Sequence, residues 1–316
     1  MSRQPLPCRA ACLLSPVVLT RLVEGYLAED APHFDVGGYV VGDDAGTAHI
    51  YCKQRDAVLC GRPFVDEVFR QLGATVTWTE TEGARVPPPD PGTHRVVVAT
   101  VRGPMNRLLL GERVALNILA RASGIASRAH ALNGLKQQRG WPGLIVGTRK
   151  TTPGFRLVEK YAMVVGGADP HRYDLSGMVM LKDNHIAAVG SIPRAVASAR
   201  AHAGFAVKIE VEVATAAGLR EAVAAGADVV MLDNMSPADV AASIATLPDR
   251  PLVSDDGSNS RVLAKPRCLI EVSGGLTVAN AGDYMLPGVD VLSFGSLSQG
   301  VPHVDFSMKL DIPKHA

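Results

Sequence analysis

A chain of 316 residues, 47% hydrophobic and 20% charged, is long enough for one large α/β domain or for two domains with buried cores. Its formal net charge of +1 excludes a general polyanion binder, which would carry a basic excess, so we expect no nucleic-acid partner. No apolar run reaches the roughly 18 residues that span a bilayer, and the five scattered cysteines form no disulfide or zinc pattern. We therefore expect a cytoplasmic protein without membrane contact.

The first third of the chain mixes helical and β-type segments. Apolar residues at helical spacing predict helices over residues 17–27, 64–72 and 107–132. Runs rich in β-branched residues predict strands over residues 48–51, 74–78 and 95–101. Strands clustered in sequence are typical of an α+β fold, so we predict a smaller α+β sandwich domain over residues 1–125.

From Leu144 onward, apolar strands alternate with alanine-rich helices, such as 216–225 and 237–245. The predicted strands are Leu144–Thr148, Met178–Lys182, Val207–Val213, Asp228–Asp233, Cys268–Ser273 and Val289–Phe294. Continuous apolar strands in repeated βα units favour an open TIM-like α/β barrel over residues 126–299. Since only six strands are found, a doubly wound sheet is the alternative.

Two segments lie outside this barrel pattern. The C-terminal tail, residues 300–316, could pack back on the first domain. The polar run 254–267 interrupts the barrel, and its composition is that of a solvated loop, so we give it no catalytic role.

Polar residues follow the predicted strands at their carboxyl ends, where barrel enzymes build their sites. They are Thr148, Arg149, Lys150, Lys182, Glu212, Asp233, Ser273, Gly274 and Gly275. A single such residue is most often a loop charge or a helix cap. Five strands that end in this way indicate a site.

The cations of this set, with Arg172 and His171, indicate a small and strongly anionic ligand. Arginine forks bind carboxylates and phosphates with two hydrogen bonds, and lysine adds a mobile point charge. His171 could orient a ligand or be a hydrogen-bonded structural histidine. Lys150 and Lys182 could instead form Schiff bases, or they could pair with Glu212 or Asp233.

The remaining members suggest a ribose and a phosphate. Glu212 and Asp233 could hold sugar hydroxyls or a water-bridged Mg²⁺, and Glu210, on the same strand face, could replace Glu212. Ser273-Gly274-Gly275 before a helix, with Gly295 after the last strand, is similar to the late-strand phosphate site of barrels.

Several runs resemble those of the quinolinate phosphoribosyltransferase family, in the family's order and over nearly the whole chain. The runs are 110–117 (LGERVALN), 147–154 (GTRKTTPG), 171–174 (HRYD), 182–185 (KDNH), 210–212 (EVE), 232–234 (LDN) and 271–275 (EVSGG). The resemblance implies transfer of phosphoribose from phosphoribosyl pyrophosphate to quinolinate. The implied products are nicotinate mononucleotide, pyrophosphate and CO₂.

The resemblance also implies roles for individual residues. Arg113, Arg149, His171, Arg172 and Lys182 would hold the quinolinate carboxylates, and Lys150 would face the anionic ligands. Glu212 and Asp233 would attend the ribose and Mg²⁺, and Ser273, Gly274, Gly275 and Gly295 the 5′-phosphate. Lys150, Lys182, Glu212 and Asp233 would be the catalytic set. A homodimer or hexamer with shared sites is implied, with Arg113 reaching the partner's site.

Three other readings stay open at this stage. The chain could be a Schiff-base lyase on a barrel that uses Lys150 or Lys182. It could be a non-catalytic barrel that binds a phosphorylated metabolite, although every cation and carboxylate position is filled. It could also act on another pyridine or a related acid.

Overall fold

The computed structural model describes residues 10–89, 92–247 and 268–312. The chain divides into a first compact unit of residues 1–131, 151–168 and 297–316 and a second of residues 132–150 and 169–296. The polar run 254–267 lies outside the described residues, so its role stays a prediction. None of the described helices is both long and apolar enough to cross a membrane.

Ten strands and nine α-helices make up the described chain. The strands are β1 (Ala45–Cys52), β2 (Thr75–Trp78), β3 (Val96–Pro104), β4 (Leu144–Val146), β5 (Val179–Leu181), β6 (Ile209–Val213), β7 (Val229–Asp233), β8 (Leu269–Ser273), β9 (Val291–Ser293) and β10 (Phe306–Leu310). The α-helices are α1 (Pro16–Asp30), α2 (Val36–Val41), α3 (Arg62–Gln71), α4 (Met105–Gln138), α5 (Arg156–Val165), α6 (Asp183–Val189), α7 (Ile192–Ala203), α8 (Ala216–Ala224) and α9 (Pro237–Ala245).

The first unit contains a four-stranded antiparallel sheet in the order β10-β1-β3-β2. Alternate residues of β1 are buried, as expected for a sheet with one face on a core. α3 buries Phe64, Val65, Val68 and Phe69, which share one helical face at spacings of three and four residues. The predicted α+β character is confirmed, and the structure adds α2, α5 and β10, which the sequence patterns did not predict.

The second unit contains six parallel strands in the order β4-β9-β8-β7-β6-β5. All six are the predicted strands, and every strand end lies within two residues of its predicted bound. β4, the first along the chain, pairs with β9, the last, as in a barrel. In a doubly wound sheet the strand order would instead reverse at its centre. The sheet is open between β4 and β5, so the predicted open α/β barrel is confirmed.

Candidate active site

A cavity of about 400 Å³ lies in the second unit, at the carboxyl ends of the parallel strands. This volume is typical of a small-molecule site. Ten of the twelve predicted site residues line it: Arg149, Lys150, His171, Arg172, Lys182, Glu212, Asp233, Ser273, Gly274 and Gly275. Parallel strands end at the same edge, which is why residues so distant in sequence meet there.

Two arginine side chains stand close together at this cavity. Burial lowers the pKa of Arg172, and the charge of Arg149 lowers it further. Arg172 Nη1 donates to the Met178 carbonyl at 3.3 Å, and its Nη2 lies 3.2 Å from the Met180 sulfur. Two neighbouring guanidinium groups repel each other, so this arrangement favours a ligand that carries more than one negative charge.

The two lysines differ in their surroundings. Lys182 Nζ lies 2.5 Å from Glu212 Oε2, so the charge pairing considered from the sequence is present for this lysine. Lys150 is exposed at the cavity, and its backbone N–H donates to the Thr148 hydroxyl at 3.1 Å. The cavity therefore holds one ion-paired and one exposed ammonium group.

The Ser273-Gly274-Gly275 run contains the last residue of β8 and the turn that follows it. Gly274 and Gly275 have φ angles of +96° and +61°. A side chain at position 274 would collide with the Asn234 amide, so both the backbone angle and the close approach require glycine there. The sequence predicts a helix after this run, and the structure has a 3-10 helix there rather than an α-helix that starts at the run. The next helical segment is a 3-10 turn at Ala281–Tyr284, because a Thr277–Asn280 side-chain-capped turn intervenes.

Two predicted residues are not among those that line the cavity. Gly295 begins a 3-10 turn, Gly295–Leu297, two residues after β9. Arg113 is an exposed residue of α4 in the first unit.

Sequence reasoning gave no role to a deeper layer of the cavity, formed by Met180, Met231 and Glu271. Each lies two residues before a polar residue that ends a strand. Alternate residues of a strand share a face, so this spacing was the signal that could have found them. Ser293, two residues before the predicted Gly295, also lines the cavity, as does Asn234, which directly follows Asp233.

The floor of the barrel carries two buried carboxyl groups beside His171. Glu210 and Glu271 are 0% and 2% exposed. His171 Nε2 lies 3.1 Å from Glu271 Oε2 and 3.9 Å from Glu210 Oε2. Burial raises the pKa of Glu210 well above its usual range, and the charge of Glu271 raises it further, whereas Arg172 lowers it. Glu210 is thus a layer below Glu212 rather than a substitute for it.

The predicted magnesium ligands fit a hard cation by their chemistry. Glu212 and Asp233 both present carboxylate oxygens to the cavity, and Mg²⁺ prefers such oxygens. One oxygen of Glu212 is occupied by Lys182, and Asp233 Oδ2 accepts from the Asn234 amide at 2.6 Å. Each carboxylate keeps a second oxygen, which suits a cation bound largely through water.

Two family models match the chain. The model described as "Quinolinate phosphoribosyl transferase, C-terminal domain" matches residues 125–309, and the model of the N-terminal domain of the same family matches residues 35–123. Together they cover the cavity and most of the chain.

Similar full-length proteins agree with these matches. The chain is 45% identical over 305 residues to the "Nicotinate-nucleotide pyrophosphorylase [carboxylating]" of Rattus norvegicus, covering 95% of each chain. Against the Homo sapiens protein of the same name, it is 44% identical over 300 residues, or 95% of this chain and 94% of the other. The solved nicotinate-nucleotide pyrophosphorylase of Francisella tularensis is 30% identical, with a TM-score of 0.79 over 94% of this chain and 97% of the other.

Proposed function

The chain belongs to the quinolinate phosphoribosyltransferase family, and on this premise we propose how its cavity carries out the family's reaction. The enzyme transfers phosphoribose from phosphoribosyl pyrophosphate to quinolinate and forms nicotinate mononucleotide, pyrophosphate and CO₂, a step of NAD biosynthesis. The observation that supports this most directly is the convergence of four cationic side chains, Arg149, Lys150, Arg172 and Lys182, on one 400 Å³ cavity. Both substrates are polyanions.

We assign the quinolinate carboxylates to the arginine side of the cavity. Arg149 and Arg172 would each bind a carboxylate with two hydrogen bonds, and Lys182 would add a third positive charge. Lys150, the exposed ammonium, would face the pyrophosphate. His171 lines the same cavity as these cations, although both of its ring nitrogens already contact protein atoms.

Glu212 and Asp233 would attend the ribose and hold Mg²⁺ through water. A cation held there would supply positive charge for the pyrophosphate. Loss of pyrophosphate leaves oxocarbenium-like positive charge on the ribose, which these two carboxylates would stabilise electrostatically. Lys182 keeps the Glu212 carboxylate in place through its ion pair.

The 5′-phosphate would lie at the turn after β8. The two glycines there leave their backbone N–H groups open to close approach, and Ser273 adds a hydroxyl. Gly295 would complete this subsite after β9. Since no α-helix starts at the turn, the backbone N–H groups rather than a helix dipole would bind the anion.

The reaction needs no covalent nucleophile from the protein. Positioning two anionic substrates against each other supplies much of the rate, and fixed charges supply the rest. Decarboxylation requires one quinolinate carboxylate to be held while the other is free to leave. One of the two arginines would hold the carboxylate that stays on the ring, while the other carboxylate is lost as CO₂.

The cellular location, the oligomeric state and the domain boundary are also part of the proposal. We place it in the cytoplasm, as a homodimer or hexamer in which Arg113 completes the partner's site. We propose a domain boundary between residues 125 and 126, with the barrel ending at residue 299. The junction of the two family matches, between residues 123 and 125, supports that boundary.

The direct test is an assay with quinolinate, phosphoribosyl pyrophosphate and Mg²⁺ that detects nicotinate mononucleotide and CO₂. Nicotinate in place of quinolinate is the matched control, because it lacks the carboxylate that is lost. We expect turnover with quinolinate only. Turnover with nicotinate alone would contradict the proposal. A lyase is not favoured, because the family models of a phosphoribosyl transferase match both parts of the chain; of the two candidate lysines, Lys182 is also held in an ion pair.

A further inference from the structure

His171 has both ring nitrogens in hydrogen-bonding contacts inside the protein. Nδ1 accepts the backbone N–H of Arg172 at 2.8 Å, and Nε2 lies 3.1 Å from Glu271 Oε2. The side chain of His171 is only 9% exposed. A ring placed in this way bridges a buried carboxylate on one side and the main chain of a cavity arginine on the other.

The backbone at His171 is held in an unusual conformation. Its φ is +57°, in the left-handed region that a residue with a Cβ seldom adopts. The Asp169 carboxylate accepts its backbone N–H at 2.7 Å, which supports this conformation from the other side. Strain of this kind persists where surrounding contacts over-determine it, and it brings Arg172 N–H onto the ring.

These contacts determine which ring nitrogen carries the proton. A nitrogen that accepts an N–H cannot itself be protonated, so Nδ1 is bare and the single proton of the neutral ring is on Nε2. That proton points to Glu271. The ligand atoms of His171, Glu210 and Glu271 lie within 4.8 Å of one another, a spacing that a metal could use. However, a protonated Nε2 cannot ligate a metal, so the geometry favours a hydrogen bond to Glu271.

We propose that Glu271 is a positioning residue: it fixes the Nε2–H tautomer of His171, and His171 in turn holds the backbone of Arg172 so that its guanidinium stays at the cavity. Glu271 acts through His171 and not on the substrate. The role of Arg172 as a quinolinate ligand rests on the proposed function, whereas the tautomer does not.

The tautomer is tested on the wild-type protein by ¹⁵N NMR after labelling of histidine, without any assay. The His171 signals are identified by their loss in His171→Asn. We expect Nε2 protonated and Nδ1 bare at neutral pH. A doubly protonated ring, a proton on Nδ1, or a bare Nε2 would each overturn the proposal even if the enzyme is fully active.

The positioning role is tested by steady-state kinetics on Glu271→Met and Glu271→Gln. Methionine removes the acceptor, so we expect the quinolinate KM to rise about tenfold, the scale of one hydrogen bond to a charged group. The KM for phosphoribosyl pyrophosphate should stay within about twofold, because its proposed ligands are elsewhere. Glutamine keeps an oxygen acceptor and should restore the quinolinate KM to within about threefold of wild type. Equal changes in both KM values, or no rescue by glutamine, would contradict the role.

A double-mutant cycle separates action through His171 from a merely structural effect. Because both variants break the same link, Glu271→Met combined with His171→Asn should raise the quinolinate KM no further than the larger single change. Glu210→Met is the matched control, since Glu210 is equally buried on β6 but its oxygen is 3.9 Å from Nε2. Its effect should add to that of His171→Asn. Additive effects of Glu271→Met would overturn the proposal, and an inactive wild-type enzyme would refute the proposed function without affecting the NMR result.

Discussion

Buried carboxyl groups have opposite surroundings in the two compact units. In the first unit, Glu159 is fully buried, and its Oε1 lies 2.8 Å from Arg121 Nη2. The backbone N–H and the hydroxyl of Thr152 also donate to it, at 3.2 and 2.8 Å. In the second unit, Glu210 is equally buried, yet among the described residues neither of its oxygens has a hydrogen-bond partner.

This difference separates a carboxyl group that is paired within the fold from one that is buried on the barrel floor without a hydrogen-bond partner. A buried charge with a counter-ion and donors stabilises its surroundings, whereas an unpaired buried acid costs stability. Folds keep such costs mainly at functional sites. Glu210, which has no hydrogen-bond partner, lies on the barrel floor beside His171. Glu159, which is paired, lies in α5, after the cationic run that begins at Arg149.

The largest effect we expect is from Glu159→Gln. It removes the counter-charge of Arg121, whose side chain is 15% exposed, so the free energy of unfolding should fall by about 3 kcal/mol. Urea unfolding followed by circular dichroism measures this change. Glu210→Gln is the matched control, and because it breaks no pair it should change the free energy of unfolding by less than about 1 kcal/mol. Similar losses for both variants would remove the contrast between the units.

The next largest effect concerns the cavity of the second unit. Arg149→Ala or Arg172→Ala should raise the quinolinate KM or abolish turnover, since a charged hydrogen-bond partner contributes about 1.5–3 kcal/mol. The thermal unfolding midpoint should stay near that of wild type. Arg200→Ala is the control, because Arg200 pairs with Asp228 and does not line the cavity. An unchanged quinolinate KM would remove that arginine from the site.

Arg113 tests whether the first unit also takes part in catalysis. We expect it to act in the partner's site, so chains with Arg113→Ala and chains with Arg172→Ala should each be inactive alone. After subunit exchange, a hybrid dimer holds one site with both arginines, which restores about a quarter of wild-type activity in a random mixture. Demonstrated exchange without recovered activity would mean that Arg113 acts within its own chain or only pairs with a neighbour on α4.

The smallest effect is a pH dependence within the first unit. Hydrogen bonds, first from Arg70 and then from Gln71, outweigh the effect of burial and together lower the pKa of Glu67 from 4.5 to about 2. A lowered pKa in the folded state stabilises the fold above pH 4.5, and this contribution is lost as the pH falls from 4.5 toward 2. Glu67→Gln should therefore weaken the acid dependence of unfolding in that window. Identical acid profiles for wild type and variant would show that the pair contributes nothing.

The sequence by itself determined the parallel strands and the residues at their ends. Apolar runs bounded by polar residues predicted β4 to β9, and the cations and carboxylates that follow them now line one cavity. The hydrophobic pattern of the sequence predicts strands and their ends because it depends only on residues a few positions apart. The run at 147–154 indicated the family to which the chain belongs. The sequence did not predict α2 and α5, because short or mixed apolar patterns do not distinguish a helix from a loop.

Only the tertiary structure decided which of these residues meet and which of their hydrogen-bonding atoms are occupied by a partner. Glu271 and His171 are a hundred positions apart, and no local pattern pairs them. The same holds for Lys182 with Glu212 and for the first strand, β4, with the last, β9. Parallel strands that end at one edge bring these partners together, because strand pairing joins segments that are far apart in the sequence.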